Sequence, residues 1–135
     1  VTLTYDDVAG TFTIDSSGGS TATLGPKAIT IENPTSSEDF TIFFTSQAIT
    51  ITQLTAIVRG LTPSLTWTIR HSTDRSLTGN EVVTSGTTTT SSTVGSVVTT
   101  FNDATIPANS FVWIETTAQT GTVSEFNVSI EYTVD

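Results

Sequence analysis

The chain has 135 residues, thirteen acidic side chains against four basic ones, and a formal charge of −9, with neither cysteine nor methionine. That length fits one domain with a core of its own. The charge argues against nucleic acid, which is bound by clustered Lys and Arg, and against anionic membrane surfaces. Without cysteine there is no disulfide framework, thiolate zinc site or thiol redox chemistry, and the lack of disulfides slightly favours synthesis in a reducing cytosol.

Thr and Ser, 32 and 16 residues, together make up 36% of the chain. Such a composition suits β-branched strands better than helices. The opening Val1-Thr2-Leu3-Thr4 reads as neither a signal peptide nor a basic arm. No apolar run approaches the roughly 18–20 residues of a membrane span. Ile29 and Ile31 predict a short strand ending at Asn33-Pro34. Phe40, Ile42 and Phe44 alternate with Thr41 and Thr45, which leaves Phe43 on the outer face. Ile49 and Ile51 begin another strand whose phase slips near Gln53, the signature of a β-bulge, before Ile57, Val58 and Arg59. Leu65, Trp67, Ile69 and His71 alternate with Thr66, Thr68 and Arg70, and Phe126, Val128, Ile130, Tyr132 and Val134 with Asn127, Ser129, Glu131 and Thr133.

Turn signals at Ser17-Gly18-Gly19-Ser20, Gly25-Pro26, Gly60 to Pro63, Gly79-Asn80, Gly86, Gly95 and Asn102-Asp103 divide these runs. The tract from Thr84 to Thr93 is low in complexity and reads as an exposed strand or strand and loop. No segment carries a capped 3.6-residue period. The pattern predicts an all-β chain of about nine or ten strands without significant helix, an antiparallel β-sandwich of jelly-roll-like type, as one domain over residues 1–135.

No active-site constellation stands out. The sole histidine, His71, has Ser72 and Asp74 nearby, but hydroxyls are everywhere in this chain, and a hydrogen-bonded histidine at a strand end is the natural reading. Asp6-Asp7, Glu38-Asp39, Glu115 and Glu125 are the acids available for an acid/base pair, and none has the aromatic subsites of a sugar cleft. Calcium needs six to eight oxygens, for which Asp6-Asp7, Asp15 and Asn102-Asp103 near turns are the candidates; neither EF-hand nor nonapeptide spacing supports them, and no cofactor is expected. Trp67 and Trp113 share faces with apolar residues and are expected in the core. Tyr5 and Phe43 are the aromatics expected at the surface, as a partner contact more than a glycan platform. Asn127-Val128-Ser129 is a formal glycosylation sequon on a polar strand face, and Arg59, Arg70 and Arg75 are expected to pair locally with Asp74 and Glu81.

Ile57-Val58-Arg59-Gly60, Trp67 to His71, Asp74 to Gly79, Ile106 to Thr117 and Gly121-Thr122-Val123 together resemble small β-rich structural proteins of tailed bacteriophages. The resemblance covers roughly the last 80–100 residues. It implies a non-enzymatic virion protein: a capsid decoration (cement) protein at the virion surface, or a module of a head or tail fibre. The implied partners are the major capsid protein or other virion proteins, with a homotrimer as the assembly. No catalytic, cofactor or metal residues come with it. The segment 1–13 is expected to act as an arm that adds a strand to a partner. The competing expectations are a fibre or cell-surface module that binds a receptor or glycan, and a self-assembling extracellular filament subunit.

Overall fold

The computed structural model describes residues 2–6, 11–15, 23–84 and 86–135, with side chains from Pro26 onward except residue 85. Among these residues the chain is all-β and antiparallel, with no helix. Two long strands organise it, β5 (Ile49–Ser72) and β10 (Ser110–Val134). They pair antiparallel from Phe111 opposite Ser72 to Val134 opposite Ile49. β3 (Thr23–Glu32) pairs with the later half of β10, and β4 (Asp39–Thr45) with the earlier half. The other edge of β5 is lined by four short strands: β9 (Thr105–Ile106), β8 (Ser96–Val98), β7 (Thr87–Thr89) and β6 (Asn80–Glu81), in that order from Ile49 to His71. β1 (Thr2–Asp6) and β2 (Thr11–Asp15) pair with each other as a separate two-stranded sheet.

A straight strand of this length would run about 80 Å at roughly 3.3 Å per residue. The β5–β10 ribbon instead doubles back. Trp67 and Phe126, the latter opposite Val58, bring their ring centroids within 5.8 Å, although their ladder positions lie nine residues apart along β5. Phe43, beside Val112, reaches Tyr132, beside Ile51, at 6.1 Å. The corner lies where the ladder skips residues between Thr120 and Thr122. Gly60 (φ 147°), opposite Val123, and Gly121 (φ 68°), the residue skipped between Thr120 and Thr122, both lie there. A Cβ on Gly60 would sit 1.8 Å from the Thr122 carbonyl oxygen, and one on Gly121 would sit 2.0 Å from that of Thr62. Only glycine fits either position.

Doubling back encloses the core. The alternating residues Leu54, Ala56 and Val58 on one half of β5, and Leu65, Trp67 and Ile69 on the other, are completely buried. Val112, Ile114, Phe126, Val128 and Ile130 of β10 are buried with them. The Trp67 indole N–H donates to the Thr89 hydroxyl at 2.9 Å, so the one polar atom of this large core ring has a partner. Thr89 is therefore a buried member of the Ser/Thr tract expected to be exposed, while Thr88 on the same strand faces out.

Three sequence expectations are corrected. Gly60 to Pro63 does not end a strand: both long strands turn the corner together and the ladder resumes at Ser64 and Thr120. Phe43 is not on the outer face. The register of β4 shifts between Val112 and Trp113, leaving Ile42 without a partner, and that bulge reverses the phase. Phe43 thus packs inward against Tyr132, and Phe44 turns out at 50% exposure. Trp113 is fully buried but on the other side of the sheet from Trp67, outside the main core cluster. The phase slip expected near Gln53 is present, between the pairs Gln53–Glu131 and Ile51–Tyr132.

Candidate functional site

Trp113 shows how the later half of β5 and the earlier half of β10 differ from the rest of the sheet. On their outer face Trp113 stands beside Arg70, and Arg70 beside Glu81. The Arg70 guanidinium donates to Glu115 from Nε (2.8 Å) and to Glu81 from Nη2 (2.7 Å). Glu115 also accepts from the Trp113 indole N–H at 2.9 Å. Arg75 lies over the Trp113 ring, 4.3 Å from its centroid, while bonding the Asp39 carboxylate and the Thr41 hydroxyl on β4. The segment that carries Arg75, between β5 and β6, covers the ring closely enough that a Cβ on Gly79 would fall 2.3 Å from it.

That segment is tied internally as well. The Ser76 hydroxyl and its backbone N–H both donate to Asp74 Oδ1, holding this exposed carboxyl below the usual carboxylate range. Asp74 N–H donates to the Ser72 hydroxyl and Leu77 N–H to the Asp74 carbonyl. The Thr68 hydroxyl, on the outer face of β5, donates to the Val83 carbonyl at 2.8 Å and is buried by it.

Behind the segment is a cavity of about 430 Å³. His71 and Ser110 form part of its lining, with Ser72, Asn80 and Gly79. His71, 2% exposed, places Nε2 3.0 Å from Asp103 Oδ2. The expected hydrogen-bonded histidine at a strand end is present. Asp103 also accepts from Asn80 Nδ2 (3.4 Å) and Thr105 N–H (3.3 Å), and Asn102 and Asp103 N–H groups reach the Val82 carbonyl. The 101–106 stretch thereby ties the two ends of β5 together: β9 holds Ile49 and Thr50, and Asp103 holds His71. Ser110 lies two residues before Val112, the partner of His71, and is completely buried; its Oγ has no hydrogen-bond partner among the described residues.

The remaining sequence candidates fall elsewhere. The Tyr5 side chain lies outside the described residues, as do Asp7 and the side chains of Asp6 and Asp15. Glu38 and Asp39 are not a pair: Glu38 accepts from Thr35, and Asp39 holds Arg75. Glu125 stands opposite Arg59 and Glu32 on the other half of the sheet. No group of three or more His, Cys, Asp or Glu among the described residues is placed to hold a metal ion. The Asn127 amide donates to Ile29 O and Thr30 Oγ1 from the middle of the sheet. Of the arginines expected to pair locally, Arg70 does so with Glu81, but Arg75 reaches across to Asp39. Sequence reasoning missed Ser110 because one serine among 16 carries no signal. The link between Trp113 and Glu115 had one: residues i and i+2 of a strand share a face.

No family model matches the chain, and no curated protein matches it. It is similar to a chain in the solved structure of infectious bursal disease virus, Gx strain, with a TM-score of 0.42 and 15% sequence identity over 99% of this chain, and it spans 37% of the length of that viral chain.

Proposed function

We propose that this chain is a non-enzymatic virion structural protein, a capsid decoration protein on the outside of a tailed-phage head, built as a jelly-roll-like β-sandwich. The observation that carries the reading is the path of the ribbon. Around one half the pairing runs β3–β10–β5–β8, and around the other β4–β10–β5–β7, while Trp67 meets Phe126 between them. An antiparallel ribbon rolled so that its halves face each other supports a jelly roll, an architecture that viral capsid domains share with lectin domains. Because a fold hosts many functions, the surface has to agree. A net charge of −9 and an exterior rich in Thr and Ser favour a hydrated protein that resists self-aggregation in many copies.

The edges of the sheet supply contacts. β3 and β4 are each paired on one side, by β10, among the described residues, and a neighbour can add to such an edge. A homotrimer seated on the major capsid protein, with the β1–β2 hairpin reaching an adjoining subunit, would use them. The role is mechanical: each copy bridges capsid subunits, and the buried contact area opposes the pressure of packed DNA. An antibody to this chain, imaged on intact source particles, tests the location. Label spread evenly over the head is the expected result; label confined to tails or to cell surfaces overturns it. Deleting residues 1–15 is expected to abolish particle binding with the melting temperature nearly unchanged, and retained binding removes the hairpin from the account.

A further inference from the structure

The contacts proposed above do not use the cavity behind the 72–80 segment, which has a chemistry of its own. We propose that it binds a neutral, hydroxyl-rich ligand of monosaccharide size. Its volume of about 430 Å³ lies within the roughly 300–1,000 Å³ of small-molecule sites.

The lining decides the class of ligand. Polar groups come from His71, Ser72, Thr73, Thr78, Asn80 and Ser110, and among the described residues no carboxylate, lysine or arginine side chain lines it. The nearby Asp103 is occupied by His71, Asn80 and the Thr105 N–H, and Arg70 by Glu81 and Glu115. A cation would find no carboxylate of its own. An anion would find no fixed positive charge, in a chain of net charge −9. Hydroxyls, an amide and an imidazole instead offer both donors and acceptors, which a sugar's hydroxyls match. Leu77, 58% exposed at the rim, and Pro107 give the apolar surface that covers the C–H face of a pyranose.

Two further observations point to a ligand. The Ser110 Oγ, on a completely buried residue lining the cavity, has no partner among the described residues; a buried hydroxyl in native structures normally has one. The cavity wall is also set in advance. Arg75 clamps its outer side onto Trp113, Asp39 and Thr41, and Ser76 and Leu77 close the turn on Asp74, so binding need not order the segment.

The single histidine makes the test direct. NMR signals of the His71 ring in the full chain are followed at constant pH during addition of glucose, galactose and N-acetylglucosamine, each taken to about 50 mM to reach the weak millimolar range. A saturable shift with at least one sugar is expected, weakened tenfold or more by Ser110→Ala or by Leu77→Ala. Inorganic phosphate and calcium chloride are expected to leave the ring signals in place. Ser110→Ala removes an unpaired buried hydroxyl and keeps the fold; Leu77→Ala alters an exposed side chain and serves as an independent check. The proposal is overturned if none of the sugars moves the ring, if the shift persists undiminished in both variants, or if phosphate or calcium produces the same saturable shift.

Discussion

Beneath the 72–84 segment the outer face of the sheet holds a fully buried tryptophan, a buried threonine and an arginine joined to two glutamates. At the other end of the same two strands, that face carries Glu125, Asn127, Ser129 and Glu131 of β10 with Gln53, Thr55 and Ile57 of β5, all half-buried by their neighbours in the sheet. The inner faces of the two halves are equally dry. The difference lies in what crosses over them, and it divides the labour of the molecule. The covered half invests its outer face in cohesion and borders the pocket lined by His71 and Ser110. Among the described residues no such segment crosses the other half, and its outer face stays polar.

The corner between the halves should be the most sensitive point. In Gly121→Ala the new Cβ meets the Thr62 carbonyl at 2.0 Å and the residue keeps φ 68°. Backbone displacement on top of a left-handed conformation is expected to cost more than about 3 kcal/mol, read as loss of a cooperative thermal transition. An unchanged melting temperature would mean that the two halves do not depend on this corner.

Trp113→Ala removes a buried ring from the covered face and is expected to cost about 3–5 kcal/mol by urea denaturation. Ser129→Ala, on the uncovered face, is expected to stay within about 0.5 kcal/mol. Equal effects would erase the distinction between the halves. A smaller change sharpens it. Glu115→Gln keeps an oxygen for the Trp113 N–H and loses the charge facing Arg70, whose side chain is 15% exposed. A loss of about 1.5–3 kcal/mol is expected, reduced in high salt.

Much of this contrast was legible in the sequence, and some of it was not. The alternations Leu65 to His71 and Phe126 to Val134 gave the inner face directly, because a strand with one dry face must alternate. The outer cover was visible in part: Val112, Trp113 and Ile114 are consecutive and all buried, as happens where a strand is covered on both sides. Phe43 misled because a single bulge reverses the phase, and Phe40, Ile42, Phe43 and Phe44 are all apolar, so their order fixes no register. Gly60 to Pro63 misled because a corner and a turn draw on the same residues. The long-range contacts of Trp67 with Phe126 and of Phe43 with Tyr132 separate them.

The mildest test concerns the cover itself. The Ser76 hydroxyl, and secondarily its backbone N–H, hold the Asp74 carboxyl below its ordinary value of 3.8. A depressed folded-state value means that the native protein favours the carboxylate. The associated stability is present above pH 3.8 and is lost as pH falls through the lower folded-state value. Ser76→Ala removes the hydroxyl and leaves the N–H, so the Asp74 midpoint, followed by carboxyl NMR, should move part of the way back towards 3.8. The variant should melt slightly lower than the parent at neutral pH, and the two should converge once Asp74 is protonated in both. A difference that stayed constant through the acid range would mean that Ser76 shapes the turn without its charge-dependent bond. The cover over Trp113 would then rest on Arg75 and the glycine contact at position 79.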